Sequence, residues 1–165
     1  MKCVFPASFD PITLGHLDLI RRAAALFGEV DVVVMNSNAK RYLFPAEVRL
    51  EMVERAVAEI AGARAVAFEG LTCEYLEKTG IRTVVRGLRN ATDFDYEMEY
   101  FAANRSATEV EMVFLPTKQE WFHVSSSVAR EVLVHGRTRD LDKYVPREIL
   151  PILEREAARR QNQWK

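Results

Sequence analysis

Phe5-Pro6-Ala7-Ser8-Phe9-Asp10-Pro11-Ile12-Thr13-Leu14-Gly15-His16 joins a short apolar run, Cys3 to Phe5, to a segment of helical period. In that segment Leu17, Ile20, Ala24 and Phe27 recur at i, i+3, i+7 and i+10, which predicts a helix with one buried face ending before Gly28. The quoted stretch is therefore a strand-to-helix loop. Its end, Thr13-x-Gly15-His16, puts an imidazole in the first helical turn beside backbone N–H groups that have no intrahelical partner. Gly15 spares a side chain where an anion would come close. A lone histidine is more often an ordinary core or surface residue, but this strand, loop and helix start favour a phosphate site. Ser8 alone is neutral, because turn serines commonly cap their own backbone.

The same rhythm continues outward. Apolar runs at Val30 to Met35, Ala65 to Phe68, Thr83 to Val85 and Glu111 to Leu115 alternate with helical segments. One helix opens at Pro45, with Glu47 at its positive end and Val48, Met52, Val53 and Val57 as its stripe, and closes at Gly62. Others are predicted at Thr72 to Lys78, Asp93 to Arg105, Ser125 to Val134 and Pro146 to Arg160, with a polar tail after Arg159 expected to fray. Repeated βαβ units of this kind predict an α/β fold in one domain over 1–165. The expected form is a Rossmann-like, doubly wound, five-stranded parallel sheet with helices on both faces and C-terminal helices.

Composition narrows the function classes. With 165 residues, one core is expected. Lys plus Arg number 23 and Asp plus Glu 24, a formal charge of −1, so there is no basic field for a long nucleic acid, although a few local cations can hold a small anion. Cys3 and Cys73 have no metal-ligand spacing and read as reduced packing residues. No run of about 18 apolar residues is present for a membrane span, and Met1 leads into a strand-like segment, so a soluble cytoplasmic protein is expected.

In open parallel sheets ligands sit beyond the carboxyl ends of the strands, which directs attention to the stretches after each one. Asn36 to Arg41 carries two adjacent cations, Lys40 and Arg41; taken alone it reads as a solvated loop, and its position after a strand argues against that. Arg86-Gly87-Leu88-Arg89 sets two guanidiniums at a strand end, where they suit a polyanion or surface ion pairs. Asp93 and Asp95 suit a helix dipole. Trp121-Phe122-His123-Val124-Ser125-Ser126-Ser127 ends at a helix start, where serines can cap and an anion can bind together.

These motifs, in this order, resemble the phosphopantetheine adenylyltransferase family within the T-x-G-H nucleotidyltransferases. The resemblance implies catalytic roles for His16, Lys40 and Arg89. It implies acceptor contacts from Ser8, Lys40, Thr72 and Arg86. It also implies ATP contacts from Ser8, Phe9, His16, Gly87, Leu88, Arg89, Glu97, Trp121, Phe122, His123, Val124, Ser125, Ser126 and Ser127. Departures from the pattern are Ser8 for a usual Thr, Ala7 for a frequent Gly, Thr72-Cys73 for apolar residues, and His123-Val124.

The implied reaction joins the adenylyl group of ATP to 4′-phosphopantetheine, giving dephospho-coenzyme A and pyrophosphate, with Mg²⁺ carried by the triphosphate and no protein metal site. A phosphate nucleophile is already ionised near neutrality, so no general base is required. The resemblance further implies a homohexamer and feedback inhibition by coenzyme A. Rival readings are a related nucleotidyltransferase acting on nicotinate mononucleotide or using CTP, and a non-catalytic nucleotide-binding sensor.

Overall fold

The computed structural model describes residues 1–37 and 40–160; Asn38, Ala39 and 161–165, the tail expected to fray, lie outside the described residues. Five strands form one parallel sheet: β1 (Lys2–Ala7), β2 (Glu29–Asn36), β3 (Ala63–Glu69), β4 (Thr83–Leu88) and β5 (Glu111–Pro116). Their order is β3-β2-β1-β4-β5, with β1 paired to β2 from Lys2↔Glu29 to Ala7↔Val34 and to β4 at Val4↔Val84. The chain thus winds outward from β1 in both directions, and the expected doubly wound sheet is present.

Side chains alternate across the sheet with period two. Cys3, Phe5, Val30, Val32 and Val34 enter the larger core, which α1 (Leu14–Phe27), α2 (Ala46–Val57), α5 (Ser126–Val134) and α6 (Leu150–Arg160) cover. Val4, Val33 and Val84 face the smaller core on the other side, with Tyr75 and Leu76 of α3 (Thr72–Thr79) and Phe101 of α4 (Ala91–Ala107). Asp31, within β2, is 1% exposed. It is held by Lys2 Nζ at 3.1 Å, a two-pronged bond from Arg64 and the Tyr75 hydroxyl at 2.8 Å. Burial pushes this carboxyl up, and those donors more than reverse it. Cys3 and Cys73 are both buried free thiols, and burial pushes the Cys3 thiol up to about 11, away from the reactive thiolate. Among the described residues no helix is long and apolar enough to cross a membrane.

Several predicted boundaries move. Pro45 stands one residue before α2 as its N-cap, with ψ 157 outside the helical range. That helix ends at Val57, where its apolar stripe ends; Gly62, at φ +81, instead leads into β3. The C-terminal segment is not one helix. A 3₁₀ stretch at Thr138–Lys143 comes first, and the predicted Pro146 to Arg160 helix itself opens with a 3₁₀ turn at Arg147–Ile149 before α6, because Pro151 has no N–H to give the Arg147 carbonyl. Strand β4 extends through Leu88, since Arg86, Gly87 and Leu88 pair with Phe114, Leu115 and Pro116.

Candidate active site

At the β1/β4 boundary, where the strand order reverses, the carboxyl ends of the two strands diverge and open a cleft of about 280 Å³. Phe5 and Ala7 come from β1, Arg86 and Gly87 from β4, and Thr13, Gly15, His16 and Leu19 from the start of α1. Arg89, Asp93 and Glu97 close one side, while Thr117, Trp121, Val124, Ser125 and Ser126 close the other. A Cβ on Gly15 would stand 3.6 Å from the Trp121 Cβ, an ordinary contact, so glycine here spares cleft volume and avoids no clash in the fold. At Gly87 a Cβ would fall 2.3 Å from Leu19 Cδ1, so the Leu19 side chain would have to swing aside.

His16 is fixed by the cap of its own helix. Thr13 accepts from the His16 N–H through Oγ1, and the Thr13 N–H donates back to His16 Nδ1 at 3.2 Å, a capping box with histidine in the usual Glu or Gln place. A backbone N–H can only donate, so Nδ1 is an acceptor and the neutral ring carries its proton on Nε2. Phe9, 1% exposed at φ +48, packs edge-on at 5.2 Å and locks the ring plane. Burial, with the charges of Arg86 and Arg89, pushes His16 down to about 4. The imidazole is therefore a neutral donor at physiological pH.

The sign of the pH effect follows. The folded protein binds the His16 proton only near pH 4, whereas an unfolded histidine binds it near 6.5, so this residue lowers stability as pH falls between those values. An NMR titration is expected to show the His16 ring unprotonated from pH 8 to 5; a midpoint near 6.5 would contradict the assignment.

The two arginines are each forked to a carboxylate. Arg86 donates from Nε and Nη2 to Glu97 at 2.7 and 2.6 Å, and from Nη1 to the Pro6 carbonyl, under the Tyr100 ring at 5.0 Å. Burial pulls its pKa down and Glu97 more than reverses this, so Arg86 stays charged. Arg89 donates from its N–H, Nε and Nη2 to Asp93, whose carboxyl these bonds pull below its ordinary value. A guanidinium has five donors, so both retain N–H groups for an anion. Glu97, expected at the nucleotide, lines the cleft as the partner of Arg86; Asp93, expected to serve the helix dipole, holds Arg89.

At α5, Ser125 is the N-cap and accepts from the Val128 N–H at 3.2 Å, while the Ser126 hydroxyl donates to the Pro11 carbonyl. Both reach the cleft. Ser127 accepts from Arg130 on the far side and lines a separate groove with Arg41, Tyr42 and Leu43. Phe122 and His123 are exposed outside the cleft lining, the latter 6.2 Å from the Tyr144 ring. The buried indole N–H of Trp121 has no partner among the described residues.

Of the other expected residues, Phe9 supports His16 from behind, and Leu88 lies outside the lining. Ser8, Lys40 and Thr72 are not brought into the cleft either. Ser8 is half-buried after β1, Lys40 is exposed, and Thr72 is buried with its hydroxyl 2.5 Å from that of Tyr100. The cleft gathers the expected nucleotide side more fully than the expected acceptor side. Sequence reading missed Asp10 and Arg49. Asp10 accepts from the Leu43 and Phe44 N–H groups at 2.8 and 2.9 Å, tying the first loop to the segment after β2. Arg49 left one trace, a charge at i−3 and i−4 from the apolar Met52 and Val53. Among the described residues no group of three or more His, Cys, Asp or Glu is placed to hold a metal ion.

A parallel sheet that opens at its switch point onto a histidine, two arginines and a helix N-terminus defines a nucleotidyltransferase-type α/β domain. Residues 4–132 match the family model described as cytidylyltransferase-like. The phosphopantetheine adenylyltransferase of Arthrobacter sp. (strain FB24) is 43% identical over 150 residues, 90% of this chain and 93% of that protein. That of Haemophilus influenzae (strain 86-028NP) is 38% identical over 152 residues, 92% of this chain and 96% of its own. The chain belongs to the phosphopantetheine adenylyltransferase family. In fold it is also similar to TmcAL of Thermotoga maritima, solved with alpha-thio ATP, at TM-score 0.71 and 14% identity over 96% of this chain and 56% of the other.

Proposed function

We propose that the β1/β4 cleft is where this enzyme joins the adenylyl group of ATP to 4′-phosphopantetheine, releasing pyrophosphate and dephospho-coenzyme A. The observation that carries the site assignment is the convergence of the neutral His16 donor, Arg86, Arg89 and the α5 N-terminus on one cleft. An acceptor phosphate oxygen attacks the α-phosphorus in line, and the bond to the β-phosphate bridging oxygen breaks, its electron pair leaving with pyrophosphate. The difficulty is bringing two anions together, and fixed donors and cations answer it. His16 Nε2–H meets the α-phosphate oxygens. Arg89 and the first turn of α5 hold the β and γ phosphates. Arg86 receives the acceptor phosphate, with Ser8 and Lys40 reaching it from the loops after β1 and β2. In this reading Thr72 lies along the pantetheine arm.

Mg²⁺ enters as part of the nucleotide substrate, ligated by phosphate oxygens and water. The donor set agrees with that role, because the cleft carboxylates Asp93 and Glu97 are engaged by Arg89 and Arg86. The enzyme is further proposed to act in the cytoplasm as a homohexamer restrained by coenzyme A. Phe94, Tyr96 and Met98 stand 44, 57 and 39% exposed on α4, which supports covering of that helix by further copies; light scattering measures the state.

Pyrophosphate release decides the reading. Turnover is expected with ATP and 4′-phosphopantetheine, inhibited by added coenzyme A. Turnover with nicotinate mononucleotide or CTP alone selects a related transferase, and release with neither acceptor leaves a sensor. Lys40→Ala is expected to raise the acceptor KM about tenfold or more, the scale of one lost charged contact, with the ATP KM little changed. A change confined to the ATP parameters would move Lys40 to the nucleotide side.

A further inference from the structure

Among the described residues Arg49 is the largest side chain without solvent exposure, and it occupies the buried stripe of α2 together with Met52, Val53, Ala56 and Val57. An aliphatic residue would fill that space without stripping water from a cation. Its bonds show what the guanidinium does instead. Nη1 donates to the Ser8 carbonyl at 2.7 Å and the Met35 carbonyl at 3.0 Å, Nη2 to Asn36 Oδ1 at 2.7 Å, and Nε to the Phe44 carbonyl at 3.1 Å. Its Cζ lies 3.9 Å from the centre of the Tyr42 ring. The Tyr42 hydroxyl in turn accepts from the Ser37 N–H at 3.0 Å. One planar group thus fixes the carboxyl ends of β1 and β2 and both ends of the segment between Asn36 and Phe44. The first loop is tied to that segment a second time through Asp10.

We propose that Arg49 is a positioning residue for the acceptor phosphate: a buried hub that sets Asn36 and the stretch from Lys40 to Phe44 against Ser8. This rests on the acceptor role given to Lys40 above. A lysine cannot replace the hub, since one ammonium cannot reach four acceptors in a plane.

The test is a double-mutant cycle of Arg49→Met with Lys40→Ala, read as acceptor KM, ATP KM, kcat and thermal midpoint. Arg49→Met is expected to raise the acceptor KM about tenfold with the ATP KM within about twofold, and adding Lys40→Ala to it is expected to change little further. Arg49→Lys should fail to restore the acceptor KM. If the two losses multiply, or if both substrates suffer equally, Arg49 is a packing residue and the proposal falls. Should Arg49→Met not fold, Tyr42→Phe keeps the ring over the guanidinium but deletes the bond from Ser37. Its loss must likewise fail to add to that of Lys40→Ala, and additive losses overturn the proposal. A wild-type enzyme inert toward phosphopantetheine would refute the function instead, so the two failures are distinct.

Discussion

His16→Ala is expected to lower kcat by about 10²- to 10³-fold, the scale of losing one preorganised donor to a developing charge. The ring is held in one state. Thr13 occupies Nδ1, Phe9 fixes the ring plane, and burial beside two guanidiniums keeps the imidazole neutral, so one N–H remains. A donor used only as charge gathers on the transferring phosphoryl group changes kcat and leaves ATP affinity nearly as it was. The same substitution deletes half of the capping box, which costs about 1 kcal/mol of stability and is seen separately in the thermal midpoint. Because the ring does not titrate above pH 5, the acid limb of kcat/KM for the acceptor follows the acceptor phosphate, whose second pKa is about 6. Unchanged kcat in the variant would remove His16 from the mechanism.

The parts of this protein legible in its sequence are those whose signal is local. Runs such as Val30 to Met35 are buried on both faces, and the Thr13 to His16 helix start announces itself within four residues. Where the information is held by a distant partner, the reading failed or stopped short. Arg86 and Glu97 are 11 residues apart on a strand and a helix, so the sequence displays two guanidiniums and a carboxylate without their pairing. The reach of β4 through Leu88 depends on β5 opposite. Arg49 looks like one more surface charge until the carbonyls of Ser8, Met35 and Phe44 are placed around it. Serine spacing shows a helix start, but only the docking of α5 shows Ser125 and Ser126 facing the cleft and Ser127 turned away. Histidine's charge is likewise a property of its surroundings: the sequence offered a phosphate-binding imidazole, and burial, aided by the neighbouring arginines, makes it a neutral one.

The pair of Arg86 and Glu97 offers the largest stability effect. Their side chains are 18 and 7% exposed, so Glu97→Ala leaves a guanidinium without its counter-ion in a shielded place, and Arg86→Ala does the same to the carboxylate. Each single substitution is expected to cost about 3–5 kcal/mol, read by chemical denaturation. Replacing both with methionine removes the charges together and fills the space, so most of that stability should return. Activity should not return with it, because the acceptor phosphate loses its guanidinium whether or not the fold is repaired. That dissociation separates the two duties of Arg86: Glu97 holds the charge in place, and the N–H groups left over meet the ligand. If the double variant regained acceptor use along with stability, Arg86 would be a structural ion pair and the acceptor site would have to be sought elsewhere along the sheet edge.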